Sequence, residues 1–197
     1  MTEIIIGAGA SGLACAIRLK QNMPNDEVIL LERLDTLGKK ILATGNGRCN
    51  LSNEHAKHYK EVINFFNNIG LKTKSDSEGR IYPYSNQAAT VRDMLEKECI
   101  RLNVQIITDC TVKSVDRDLI VSTDCGMFYA DSVIIAAGGM AQSSLGSNGS
   151  GYEILKNLGH RITPLSPALV QLVSSSKYPR QLKGQRVKGK YFLTANV

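Results

Sequence analysis

Gly7, Gly9 and Gly12 stand at the spacing G-x-G-x-x-G, with Ala8, Ala10 and Ser11 between them. Glycine at the first position permits a tight turn, at the second it lets a diphosphate approach the backbone, and at the third it lets a helix pack close to a strand. A helix opening at Ser11 would aim its free N–H groups and the positive end of its dipole at those phosphates. Glu32 follows Gly12 by 20 residues, where a carboxylate can accept hydrogen bonds from ribose hydroxyls. The same carboxylate repels a 2′-phosphate, which disfavours NADP in this position. Together, Gly7, Gly9, Ala10, Ser11, Gly12, Glu32 and the adjoining Arg33 form a candidate dinucleotide site.

A second group lies in the loop Gly38–Asn53, which is rich in glycine and basic residues. Gly45 and Gly47 allow backbone N–H groups close to a ring or a phosphate. Lys40 and Arg48 can offset diphosphate charge or hold the loop. Asn46 and Asn50 offer amide groups, and Asn50 could hydrogen-bond a ring edge. Cys49 could add to a ring as a thiolate. With no base or second cysteine near it in sequence, Cys49 reads better as a residue packed under the loop.

These residues need elements to place them. Glu3–Gly7 opens on three consecutive isoleucines, a run that suits a strand buried on both faces. Ser11 to Asn22 has helical spacing of Leu13, Ala14, Ile17 and Leu19. Pro24-Asn25-Asp26 is a turn, and Val28–Glu32 is a second buried strand. This is one βαβ unit. Helices are predicted for His58 to Asn68 and for Ala88 to Leu102, the latter with Val91, Leu95 and Cys99 inward. Gly79–Ser85 between them reads as irregular or extended. Val104–Thr108 reads as a strand. Thr111–Val115, Leu119–Thr123 and Met127–Ala130 read as a β-meander, separated by polar turns. Ser132–Ala137 is a further buried strand ending in Gly138-Gly139, and Gly149 to Leu158 is a helix stopped by Gly159. From Ala168 onward the sequence is extended and alternating.

Composition excludes several classes. Hydrophobic residues at 43% and charged residues at 21% describe an ordinary globular chain. No apolar run approaches the ~18 residues a membrane helix requires, and the glycine-rich N-terminus lacks the basic start of a signal peptide. A cytoplasmic location is expected. The net charge of +6 equals the six basic residues of segment 177–197, so residues 1–176 sum to zero. A chain that coats nucleic acid would spread its charge differently, and nucleic acid is not an expected partner. The five cysteines are odd in number and contain no C-x-x-C pair. This argues against a zinc site, a dithiol centre and a disulfide framework, and free thiols fit a reducing compartment. His55, His58 and His160 form no ligand set, so no metal is expected.

The run Gly38-Lys39-Lys40-Ile41-Leu42-Ala43-Thr44-Gly45-Asn46-Gly47-Arg48-Cys49-Asn50-Leu51-Ser52-Asn53, together with the N-terminal unit, closely resembles the HI0933-like FAD-binding flavoproteins, also described as BaiN-like or as the aminoacetone oxidase family. Gly79-Arg80-Ile81-Tyr82-Pro83, Ala136-Ala137-Gly138-Gly139, Gly146-Ser147-Asn148-Gly149-Ser150-Gly151-Tyr152, Leu158-Gly159-His160 and Pro164 to Val170 extend the resemblance over essentially the whole chain. It implies an α/β fold: a Rossmann-like FAD-binding domain of the two-dinucleotide-binding type, with a β-meander and an inserted β-rich substrate domain. The FAD domain would occupy residues 1–165, and the substrate domain would begin over 166–197. The meander strand around Val112 would pass the adenine, and Val112 would contact it through backbone groups. Ala137, Gly138 and Gly139 would contact the cofactor through a turn in which Ala137 stands where such flavoproteins carry threonine. Tyr82, Tyr84 and Arg80 could face a flavin, although packing is the commoner role for such residues. No catalytic acid or base is assigned.

The resemblance also implies a length roughly twice this one. The part beyond Val197 would complete the substrate domain and return to cover the flavin ring, so a missing C-terminal half or a homo-oligomer is the partner left open. The leading expectation is an FAD-dependent oxidoreductase acting on a small organic substrate, with NAD(P)H as electron donor. Two alternatives stand beside it: a non-catalytic FAD- or nucleotide-binding fragment, and an RNA-associated protein using the basic C-terminal tail.

Overall fold

The structure, a computed structural model, describes residues 1–167. Met1–Ile162 forms one compact unit; of a second unit, Thr163–Val197, only residues 163–167 are described. The expected extended segment from Ala168 onward, and with it most of the expected substrate domain, lies outside the described residues.

The isoleucine run becomes strand β1 (Thr2–Ile6), followed by helix α1 (Ala10–Asn22) and strand β2 (Glu27–Leu31). A short helix α2 (Lys39–Ala43), a 3-10 turn (Thr44–Gly47) and strand β3 (Ser52–Asn53) lead to α3 (Tyr59–Asn68). Then come β4 (Thr73–Ser75), β5 (Arg80–Pro83), α4 (Ala88–Arg101) and β6 (Gln105–Ile107). The chain continues through β7 (Val112–Val115), β8 (Ile120–Thr123), β9 (Met127–Tyr129), β10 (Ser132–Ile135), a 3-10 turn (Ser143–Leu145) and α5 (Ser150–Asn157).

Four strands form a parallel sheet in the order β10-β1-β2-β6. Ile5 faces Ile134 on one side and Leu30 on the other, and Leu30 faces Ile106. Alternation along the strands explains the unbroken apolar runs. Ile5, Val28 and Leu30 join Leu13 and Ile17 of α1 and Val91, Leu95 and Cys99 of α4 on one face. Ile4, Ile6, Ile29 and Leu31 join Val115 and Val121 of the meander and Ile154 of α5 on the other. The unit therefore has three layers, and the central strands meet water on neither face. Leu30 is fully buried at the middle of this arrangement. Leu30→Ala is expected to lower stability by about 2–5 kcal/mol, from lost burial plus the cavity left behind, read as a shift in the denaturant midpoint.

The expected meander is present as an antiparallel sheet β7-β8-β9. Residues 79–85, expected to be irregular or extended, are extended over β5, the middle strand of a three-stranded antiparallel sheet β3-β5-β4 whose pairing the sequence did not indicate. The expectation that all cysteines are free is corrected. Cys110 and Cys125 are joined in a disulfide with Cα atoms 5.7 Å apart, while Cys15, Cys49 and Cys99 are free. The pair closes across the β7–β8 hairpin, a contact made by tertiary structure and invisible to local spacing rules. Among the described residues no helix is long and apolar enough to cross a membrane.

Candidate functional site

The chain reverses direction across the sheet between β1 and β10. From β1 the sheet grows one way through β2 and β6, and β10 is added on the other side of β1. In open parallel sheets such a switch point leaves a crevice beyond the carboxyl ends of the strands. Here the crevice is a cleft of about 490 Å³, lined among others by Gly7, Gly9, Glu32, Val112 and Ala137.

The glycine turn sits at its floor. Gly7 follows β1 with φ +103, and a Cβ there would come within 2.7 Å of the Ala136 carbonyl oxygen. At Gly12 a Cβ would fall 1.9 Å from the Gly7 carbonyl oxygen, so α1 rests directly on the turn. Gly9 is the N-cap of α1; no side chain caps the helix, and its first turn has no acidic residue. The first-turn N–H groups of a helix have no partner within it, so this end of α1 presents uncompensated donors and a positive dipole end to the cleft.

Glu32 lies at the exit of β2. Its Oε2 accepts the Ala8 N–H at 2.8 Å and its Oε1 accepts the Leu34 N–H at 2.9 Å. The carboxylate thus ties the glycine turn to the neighbouring strand exit, and each oxygen keeps a second lone pair for a ligand. The backbone carbonyl of Glu32 accepts the Cys110 N–H, which brings Cys110, Thr111 and Val112 to the same wall.

Two cations have partners that sequence reading did not anticipate. Arg33 donates to the Gly146 carbonyl at 3.0 Å. Lys40 donates to the Ala141 carbonyl at 3.0 Å and to the Ser147 hydroxyl. Together they hold segment 141–147 along the cleft. The Gly146 to Tyr152 motif was the available signal for this segment, but its partners lie more than 100 residues away in sequence.

The structure brings Gly7, Gly9, Ala10, Ser11, Glu32, Arg33, Lys40, Cys49, Asn50, Val112, Ala137 and Gly138 together around the one cleft. Gly12 serves from behind, as the seat of α1. Gly45, Asn46, Gly47, Arg48 and Gly139 are not in the lining. Gly45, Asn46 and Gly47 instead form a left-handed run, with φ of 56, 54 and 80. The Arg48 guanidinium lies 4.5 Å from the centre of the Tyr82 ring and donates to the Gly45 carbonyl at 3.3 Å, which fastens this turn to β5. Phe65 and Phe66, in edge-to-face contact at 5.2 Å, line the cleft from α3 and were not singled out in sequence as site residues. Cys49 is buried, and burial pushes its thiol above the ordinary range, which keeps it protonated. One cluster of metal-ligand residue types occurs among the described residues, Cys110, Asp124 and Cys125, and its two sulfurs are bonded to each other.

A parallel sheet with a glycine turn, an uncapped helix end and a carboxylate at one switch point defines a Rossmann-like dinucleotide-binding domain. The family model of the HI0933-like protein Rossmann domain matches residues 1–61 and 57–194, and the chain belongs to that family. A 3-dehydro-bile acid delta(4,6)-reductase of Clostridium scindens is 43% identical, with 85% of this chain and 46% of that protein covered. A ribosomal RNA dihydrouridine synthase of Escherichia coli is 28% identical over the same shares, 85% and 46%. The chain therefore spans about half the length of the curated relatives it matches. The crystal structure of Thermovibrio ammonificans THI4 agrees in fold, with a TM-score of 0.53 at 14% identity over 70% of this chain and 57% of that one.

Proposed function

We propose that this chain is the FAD-binding part of a flavin-dependent oxidoreductase that reduces a carbon–carbon double bond conjugated to a carbonyl. The observation that carries the cofactor reading is the convergence of the α1 N-terminus, the bare Gly9 position and the Glu32 carboxylate on one cleft. The residues present fit the group. The space beyond Gly9 is open where a Cβ would stand, as a diphosphate resting on the backbone requires. The cleft volume lies within the ~300–1,000 Å³ typical of cofactor sites. In this reading the first-turn N–H groups of α1 donate to the diphosphate, Glu32 accepts from the ribose hydroxyls, and Cys110 to Val112 flank the adenine. Bound FAD would supply the two-electron chemistry that side chains lack. Phe65 and Phe66 help exclude water from the cleft.

The reaction class follows from two relatives whose names differ in substrate. One name specifies a bile acid with a 3-oxo group and double bonds at positions 4 and 6; the other specifies a uridine base that becomes dihydrouridine. Both describe adding two hydrogens across a double bond that a carbonyl makes electron-poor. NAD(P)H is the proposed source of the electrons.

Purified chain is expected to quench the fluorescence of added FAD on binding and to favour FAD over free riboflavin, since riboflavin lacks the diphosphate and adenosine that the site contacts. Equal affinity for the two would overturn the cofactor reading. Anaerobic NADH should bleach the bound flavin, and a simple cyclic enone should restore its absorbance. A flavin that binds but stays yellow with both NADH and NADPH would leave a binding domain without the proposed activity.

A further inference from the structure

The disulfide partners sit in unlike places. Cys110 is buried in the cleft wall, 1% exposed, whereas Cys125 is exposed in the turn between β8 and β9. The backbone around them ties that turn to the site. The Asp124 carboxylate accepts the Thr111 N–H at 2.7 Å, and the Asp124 N–H donates to the Thr111 carbonyl at 3.1 Å. On the other side, the Cys110 N–H donates to the Glu32 carbonyl at 2.9 Å and the Asp109 N–H to the Leu34 carbonyl at 3.2 Å. The position of an exposed turn is thereby linked to Thr111 and Val112, which line the cleft beside Glu32.

The other cysteines are poor competitors for thiol chemistry. Burial pushes the Cys99 thiol up to about 12 and raises those of Cys15 and Cys49. Reactive cysteines are accessible and give up their proton readily. Among the cysteines, Cys125 is the exposed one, Cys15 is half-buried and the others are buried, so a reagent reaches the Cys110–Cys125 bridge from the Cys125 side.

We propose that Cys110–Cys125 is a reversible thiol–disulfide site that sets the packing of the cleft wall and, with it, the affinity for the adenosine end of the nucleotide. The oxidised pair holds Thr111 and Val112 in place, and reduction by a small dithiol releases them. In that step a reagent thiolate attacks Cys125 Sγ, the Cys110–Cys125 bond breaks, and Cys110 leaves as a thiolate that takes a proton. The second reagent sulfur then closes on the first, releasing Cys125 as a thiol. The two cysteines have gained two electrons and two protons, and the reagent ends as its own disulfide. A low-mass disulfide such as oxidised glutathione reverses the sequence through two exchanges. The affinity half of the proposal rests on the dinucleotide reading above; the packing half does not.

The test compares the chain after incubation with oxidised glutathione and after dithiothreitol, using ADP as a probe that thiols do not reduce. Alkylation in denaturant should count the three free thiols Cys15, Cys49 and Cys99 in the first state and all five in the second. Reduction should weaken ADP binding by about tenfold, which corresponds to ~1.4 kcal/mol. It should also speed amide exchange over residues 110–115 and 123–127 while leaving residues 2–6 and 27–31 unchanged. Cys125→Ser should show the weak affinity and fast exchange under both conditions. Five reactive thiols after oxidation, equal exchange in the two states, or equal affinity where ADP binds would each overturn the proposal. Should ADP bind to neither state, the dinucleotide reading falls while the exchange comparison still decides whether the pair controls the wall.

Discussion

Gly9→Ala is expected to fold and melt like the parent chain and to bind FAD about 10- to 100-fold more weakly. The backbone at Gly9 has φ −75 and ψ −171, a conformation alanine adopts without strain, and its Cβ would meet no atom of the protein within 4 Å. Nothing in the folded chain resists the methyl group. It would instead occupy the space where, on the proposed reading, the diphosphate approaches the α1 N-terminus, and overpacking of that kind costs roughly 1–3 kcal/mol. Gly12→Ala is the contrasting variant. Its Cβ would overlap the Gly7 carbonyl oxygen, so helix and turn would have to separate. That variant should lose stability as well as ligand. Calorimetric Tm and FAD titration for the two proteins separate the effects. Were Gly9→Ala to bind FAD as tightly as the parent, the diphosphate would not lie against α1.

The two glycines also mark how far sequence reasoning reaches. The β1–α1–β2 unit was legible because its signals are local: an isoleucine run buried on both faces, three glycines at fixed spacing and an acid at the next strand end. The meander was legible for the same reason, with polar turns Asp116-Arg117-Asp118 and Asp124-Cys125-Gly126 cutting three short runs. The sheet β3-β5-β4 was not. Its strands are two to four residues long and carry Ser52, Asn53, Thr73, Lys74 and Ser75, so no apolar alternation marks them. Pro83 in β5 also reads as a strand breaker, although it sits at the end of the strand opposite Thr73.

Site residues divide in the same way. Gly7, Gly9, Ala10, Ser11 and Glu32 were expected from spacing, and Val112 and the Ala137-Gly138 turn from family resemblance; these line the cleft, while Gly12 sits behind it. Gly45 to Arg48 also entered on composition, yet the structure uses them to shape a turn, because glycine and asparagine supply left-handed backbone whether or not a ligand is near. Arg33 and Lys40 carry the right charge for a diphosphate, but their direction depends on carbonyls of segment 141–147. The Cys110–Cys125 pair is the extreme case. An odd cysteine count and a separation of 15 residues carry no local mark, and only the hairpin brings the two sulfurs together.

Glu32→Gln should damage both stability and binding, which distinguishes it from Gly9→Ala. The carboxylate accepts one backbone N–H at each oxygen, from Ala8 and from Leu34. Glutamine keeps the length but replaces one acceptor with an NH2 group, so one of the two amides would face a donor. Leaving a partly buried N–H unpaired costs about 1–3 kcal/mol, and for a domain of this size each kcal/mol shifts Tm by roughly 2–4 °C. A fall of several degrees is expected without ligand. FAD affinity should drop by at least about tenfold, because the ribose loses an acceptor and the glycine turn loses its tie to β2. Adding a 2′-phosphate to the probe sharpens the test. The parent should bind ADP in preference to 2′-phospho-ADP, since Glu32 repels the added charge, and the uncharged amide of Glu32→Gln should narrow that preference even as both affinities fall. An unchanged preference would place the ribose away from Glu32, whatever happened to Tm; an unchanged Tm with a narrowed preference would mean that the turn holds its shape without the carboxylate.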